Sequence, residues 1–178
     1  MIIEGKAAEK EGLKKVAELM CVAARTAPKG RGTDMLVTAV VSGESITKLQ
    51  EEMHRIAEAK GADFFARDAK NLDYVDCLVL LGTKIRQIGL KACGYCGFED
   101  CEDNKKNRGI CAFNTGDLGI AIGSAVSKAA DFRVDNRVLF TAGKASINLG
   151  FLGEDVKIAY GIPLASEGKN IFFDREKK

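Results

Sequence analysis

The sequence predicts an α+β domain of three layers, with helices on both faces of one sheet (α/β/α) and a cysteine-rich loop inserted in it. Three observations lead there. Apolar runs of strand character are separated by helical stripes. A length of 178 residues with 46% hydrophobic side chains suits one globular domain with a sizeable core. Four of the six cysteines gather between residues 93 and 111. Alternating elements argue against a helical bundle or a β-sandwich, and no repeat, low-complexity tract or linker divides the chain. Residues 1–178 therefore read as a single domain, with the cysteine motif at 91–112 inside it.

From Lys6 to Ala27, the apolar positions Leu13, Val16, Ala17, Met20, Ala23, Ala24 and Ala27 recur at helical spacing, and Pro28 and Gly30 end the run. Met35–Val41 is a short, partly β-branched run, hence a buried strand closed by Ser42 and Gly43. A helix follows, with Thr47 and Gln50 at capping-box spacing, a stripe of Leu49, Met53, Ile56 and Ala57, and Gly61 as its stop. A second buried strand is expected from Val75 to Leu81, ending at Gly82. After the cysteines, Thr115 or Asp117 is placed to cap a helix through Ala130, in which Gly116, Gly119 and Gly123 allow close approach. A further helix is expected over Asn136–Leu149, a strand over Val156–Ile162 ended by Pro163, and a terminal strand or arm over Asn170–Phe173. Arg175, Lys177 and Lys178 read as a solubilising end.

Charge and composition narrow the function. Lysine and arginine number 27 against 25 acidic residues, so no global field draws the protein to nucleic acid or an anionic membrane. The longest stretch free of ionisable acids and bases, Leu118–Ser127, spans ten residues, well short of a membrane crossing. Met1–Glu4 lead directly into the charged segment Lys6–Lys15, which lacks the apolar region of a secretory signal and predicts a cytoplasmic protein. With His54 as its one histidine, the chain has no site needing two imidazoles, and His54 itself lies among Glu51, Glu52, Arg55 and Glu58 on an exposed helix face. No acid/base pair and no activated serine is evident, and no catalytic residue is assigned.

The cysteines carry the chemistry. Cys93, Cys96, Cys101 and Cys111 are spaced C-x2-C-x4-C-x9-C. Two thiolates three residues apart aim at one centre from a single turn, and Gly94 and Gly97 permit the backbone angles that such a turn needs. Four thiolates repel one another unless a cation or cluster holds them, and a reducing compartment disfavours disulfides. Zinc usually takes two C-x2-C knuckles, whereas three close cysteines plus one distant ligand suit iron and sulfide better. An iron-sulfur cluster, a structural zinc and unligated or disulfide-bonded cysteines all remain open. Cys21 and Cys77 lie on apolar patterns and read as buried small hydrophobes. The charged stretch from Glu99, Asp100, Glu102 and Asp103 to Lys105, Lys106 and Arg108 is either a solvated loop or a docking rim for an electron-transfer partner.

A second candidate is the loop Arg25–Thr33. Arg25, Lys29, Gly30 and Arg31 have the composition of a phosphate cradle, although a solvated basic turn at the negative end of a helix explains the cations equally well.

The run Cys93-Gly94-Tyr95-Cys96-Gly97-Phe98-Glu99-Asp100-Cys101 resembles the small four-iron, four-sulfur (4Fe-4S) domain of anaerobic electron-transfer proteins, and Cys111 falls nearer than that domain's usual fourth ligand. Over nearly its whole length the chain resembles the prokaryotic family of uncharacterised proteins containing a ferredoxin domain. A fainter resemblance is to the flavin-dependent nitroreductases, carried by Ala23-Ala24-Arg25-Thr26-Ala27-Pro28, Asp117-Leu118-Gly119-Ile120-Ala121, Leu152-Gly153-Glu154-Asp155-Val156 and Gly161-Ile162-Pro163. It implies a three-layer nitroreductase-like fold, a homodimer, and FMN held at the subunit interface. The arginine-rich N-terminal motif of those enzymes has no counterpart in residues 1–12, and Lys29 and Gly32 replace their Ser and Asn. Together these resemblances imply an iron-sulfur redox protein, with FMN in the same homodimer. The alternative is a non-enzymatic module that binds another protein through a zinc-stiffened loop.

Overall fold

A computed structural model describes residues 2–174; Arg175, Lys177 and Lys178 lie outside the described residues. The elements in chain order are α1 (Gly5–Thr26), β1 (Leu36–Ser42), α2 (Glu44–Lys60), α3 (Asp63–Ala69), β2 (Cys77–Lys84), α4 (Cys101–Lys106), α5 (Ala112–Asp131), β3 (Asp135–Asn136), α6 (Phe140–Asn148) and β4 (Val156–Ala165). The strands form one sheet in the order β1-β2-β4-β3, every pair antiparallel.

β2 explains the architecture. Residues 77–83 are all buried, which requires cover on both faces. Alternation along the strand sends Cys77, Val79 and Leu81 toward α1 and α5, where they meet Leu13, Val16, Met20, Leu118 and Ala125. Leu78 and Leu80 point the other way, into a second core with Leu49, Met53 and Ile56 of α2, Phe65 of α3 and Ala142 of α6. Each fully buried Leu contributes about 1.5–3 kcal/mol, so the two cores together hold the layers in place. The α+β reading with layers on both faces is the observed fold.

Several boundaries differ from expectation. α2 starts at Glu44, directly after Gly43 at φ 57°, and the Gln50 side chain binds the Ala69 carbonyl and Asp73 instead of closing a capping box. α5 starts at Ala112 with Cys111 at its N-cap, so neither Thr115 nor Asp117 caps it; Asp117 instead accepts the Gly30 N–H at 3.0 Å. The helix expected from Asn136 begins only at Phe140, because Asn136 pairs with Leu164 and Leu139 exchanges two main-chain bonds with Gly161. β4 continues through Pro163 to Ala165. Gly161 bonds toward Leu139, so by the two-residue period Pro163 nitrogen faces the same flank, beyond the end of β3, where its missing N–H leaves no ladder bond unmade. Asn170–Phe173 form turns and no strand; Phe172 is a buried plug whose carbonyl accepts from Arg137 at 2.8 Å. Among the described residues no helix is long and apolar enough to cross a membrane.

Candidate redox centre

The chain between β2 and α5 makes no strand, and its one helix is the six-residue α4. Gly94 and Gly97, at φ 67° and 83°, let the backbone double back between Cys93 and Cys96, closed by Gly97 N–H donating to the Gly94 carbonyl at 2.9 Å. Cys101 is the first residue of α4, whose Asp100 cap accepts the Asp103 N–H at 2.8 Å. Cys111 is buried at the N-terminus of the 20-residue α5, where the helix dipole favours negative charge.

The structure brings these four cysteines together. Cys93, Cys96, Cys101 and Cys111 wall one narrow, tightly closed cavity, and all four are free thiols. Among the described residues, no three Cys, His, Asp or Glu side chains converge tightly enough for a single metal ion. Cys21 and Cys77 lie elsewhere, on α1 and β2; burial raises both thiols, Cys77 to about 11, as expected of packing residues.

Polar clamps hold the cavity walls. Asn104, almost fully buried, accepts from Gln87 at 2.5 Å and donates to the Ile110 carbonyl at 3.2 Å, joining the segment after β2 to α4 and to the residue before Cys111. Asn114 accepts the Arg86 N–H at 2.8 Å, one residue before Gln87, and its Nδ2 has no partner among the described residues. Tyr95, 79% exposed, stacks on Phe113 with the rings 6.0 Å apart and 2° from parallel. Phe113 lines the cavity, so the pair covers it from outside.

In the basic loop several donors turn to protein oxygens. Lys29 donates to the Ala24 and Arg25 carbonyls at 2.8 and 2.5 Å, closing the C-terminus of α1, and burial lowers its pKa. Gly30 N–H is taken by Asp117. Arg31, at φ 56°, donates to the Ile88 and Gly89 carbonyls at 2.8 and 3.1 Å, which makes it a brace for the cysteine loop. Only Arg25 faces a large groove, bonded to Asp34 at 2.7 Å. Burial works against ionisation of Asp34, but the Arg25 bond, the Leu36 N–H and the charges of Arg25 and Lys29 together hold its carboxyl below the usual range. The bracing by Gln87, Asn104 and Arg31 was missed in the sequence because nothing local distinguishes those residues from solvated polar ones.

The sequence model of a family described as uncharacterised proteins containing a ferredoxin domain matches residues 107–175, a stretch that includes Cys111 and begins after the other three cysteines. An uncharacterised protein of Archaeoglobus fulgidus is 38% identical over 187 aligned positions covering the whole of both chains. The chain belongs to this ferredoxin-domain family. Several solved structures that this chain resembles are described as flavoproteins. A nitroreductase with bound FMN from Bacteroides fragilis matches with a TM-score of 0.59 at 15% identity, over 100% of this chain and 85% of its own. A BluB-like flavoprotein from Clostridium difficile matches at 0.57 and 16%, over 100% and 87%. An oxidoreductase containing FMN matches at 0.58 and 12%, over 88% and 68%. At such identities the likeness is one of fold, and the fold of this chain is nitroreductase-like.

Proposed function

We propose that the protein is an iron-sulfur redox protein whose Cys93, Cys96, Cys101 and Cys111 ligate one four-iron, four-sulfur cluster. The observation carrying this reading is that four free thiols from separated stretches of chain wall one cavity. The donor set fits: all-thiolate ligation is what such clusters take. When bound, the cluster supplies one-electron transfer. The chain's own part is to hold four sulfurs through the Asn104, Gln87 and Arg31 braces, to offer the positive end of α5 to Cys111, and to cover the cavity with Tyr95 and Phe113.

FMN in the same homodimer is the second part of the proposal, supported by the FMN-containing structures that share the fold. In the loop Arg25–Arg31, Lys29, Gly30 and Arg31 each donate to protein oxygens, so Arg25 and the remaining N–H groups of Lys29 and Arg31 are what the loop offers a flavin phosphate. Pairing of two copies is supported by Leu19, Val22 and Ile120, exposed on the adjoining helices α1 and α5, and by exposed Gly116, Gly119 and Gly123. Each glycine costs an exposed helix about 1 kcal/mol relative to alanine, a loss that close contact with a second helix offsets. Electron exchange with a partner protein at the charged rim around α4 completes the reading.

Anaerobic purification followed by iron, acid-labile sulfide and flavin assays tests it. Brown protein with about four irons per chain is expected. Colourless protein containing zinc alone would overturn the cluster in favour of the structural zinc module, and yellow FMN without iron would leave a plain flavoprotein.

A further inference from the structure

The aromatic cover of the cysteine cavity has two leaves of unequal mobility. Phe113, the second residue of α5, lines the cavity and stands two residues from Cys111. Its ring is fixed from behind: a Cβ added at Gly30 would lie 3.0 Å from it, and the Gly30 N–H is held by Asp117, one turn further along α5. Tyr95 is the outer leaf. It sits between Cys93 and Cys96, is 79% exposed, and stacks on Phe113 with the rings 2° from parallel. Its exposed hydroxyl takes no part in a hydrogen bond among the described residues. An aromatic pair in water is a weak hold, so the stacked position is favoured over the free one only about two- to tenfold. Rotation about the Tyr95 Cα–Cβ bond is enough to lift the ring, a fast motion for an exposed side chain that leaves both flanking cysteines where they are.

We propose that Tyr95 is a gate on the cysteine centre: stacked on Phe113 it shuts small solutes out of the cavity, and swung away it admits them to Cys111 and to whatever the four sulfurs hold. The pattern of burial supports this. Cys93, Cys96 and Cys101, on the loop, are half-buried, whereas Cys111, beside Phe113 on α5, is shut off from solvent. Ile88 and Asn104 in the other walls are buried as well, so the exposed ring is the part of the enclosure that moves at least cost. Because the hydroxyl is uninvolved, what the gate requires at position 95 is a flat ring. Protection of an oxygen-sensitive cluster is the use of such a gate, a link that rests on the preceding reading; the gate over Cys111 stands without it.

Two measurements on the wild type, Tyr95→Phe and Tyr95→Ala test it. Tyr95 belongs to neither core, so both variants are expected to fold. In reduced, metal-stripped protein, labelling by N-ethylmaleimide is followed cysteine by cysteine with mass spectrometry. Cys111 should react at least fivefold faster in Tyr95→Ala than in the wild type, and within twofold of the wild-type rate in Tyr95→Phe. Cys77, buried in β2, is the internal control and should keep its rate. In anaerobically purified, iron-containing protein exposed to air, the visible absorbance should bleach at least threefold faster in Tyr95→Ala and at the wild-type rate in Tyr95→Phe. The gate is overturned if Cys111 reacts equally in the wild type and Tyr95→Ala, or if Tyr95→Phe loses the protection. It is overturned too if Cys77 accelerates as much as Cys111, which would make Tyr95 an anchor of the fold. Iron assayed on the same samples separates the two readings. Protein without iron removes the cluster and leaves the Cys111 rates to decide the gate, whereas iron with equal bleaching in all three proteins removes the gate and leaves the cluster standing.

Discussion

The two central strands and the cysteine loop are held by opposite means. β2 and β4 are ordered by burial: residues 77–83 and 161–165 are shut off from solvent, and the forces on them are apolar and non-directional. The loop from Ile85 to Ile110 is largely exposed, takes positive φ at Gly89, Ala92, Gly94, Gly97 and Arg108, and is held by directed bonds to Asn104, Gln87 and Arg31. A sheet core tolerates loss of a contact by partial relaxation. A loop that depends on a few polar ties loses its geometry when one tie is cut, although the rest of the domain stays folded.

The largest effect is expected where that difference is sharpest inside the core. At Gly143 an added Cβ would overlap the Ala159 carbonyl, so α6 lies on β4 with no room for a side chain. Gly143→Val should cost roughly 4 kcal/mol, a fall of about 8–16 °C in the thermal midpoint measured by circular dichroism. A drop of only a degree or two would mean that α6 is loosely docked.

Gly109 is the loop's counterpart: a Cβ there would overlap the Phe98 ring and lie 2.8 Å from the Asn104 amide. Gly109→Ala should introduce about 1–3 kcal/mol of local strain. Iron retained after anaerobic purification should fall by more than half, while the main unfolding transition hardly moves. If that transition falls as far as in Gly143→Val, loop and core are one cooperative unit and the contrast fails.

The smallest effect belongs to a polar tie within the core layers. Glu52 is held below the ordinary carboxyl range, first by its hydrogen bond from Arg55 and also by one from Asn148 on α6 at 2.6 Å, against the opposing effect of burial. A depressed carboxyl stabilises the fold above its unfolded value near 4.5, and that contribution disappears as pH falls through the lower folded value. Because Arg55 is mostly exposed, screening keeps the sum small, about 1 kcal/mol. Glu52→Gln should therefore lower urea-unfolding stability slightly at pH 7 and show a shallower loss than the wild type between about pH 5 and 3. Parallel acid limbs for the two proteins would exclude this role.

Much of this was legible in the residues. The stripe on α1, the fully apolar β2 and Gly61, which ends α2 at φ 60°, carry signals that a single segment contains, and the structure has each of them. The start of α6 was not legible, because the pairing of Leu139 with Gly161 joins residues 22 apart and overrides a helical pattern. The spacing of the cysteines was visible, whereas the stack that covers them was not: Tyr95 and Phe113 sit 18 residues apart and nothing local pairs their rings.

What the chain determined alone was therefore periodicity and kind: which segments bury an apolar face, and that four thiols sit within nineteen residues of one another. Tertiary structure decided where the donors go. Lys29 and Arg31 look alike in sequence, yet one closes a helix and the other braces a loop, since a hydrogen bond depends on which acceptor folding brings within about 3 Å. Apolar burial is summed along a segment and can be read there; a directed bond exists only once two distant segments have met.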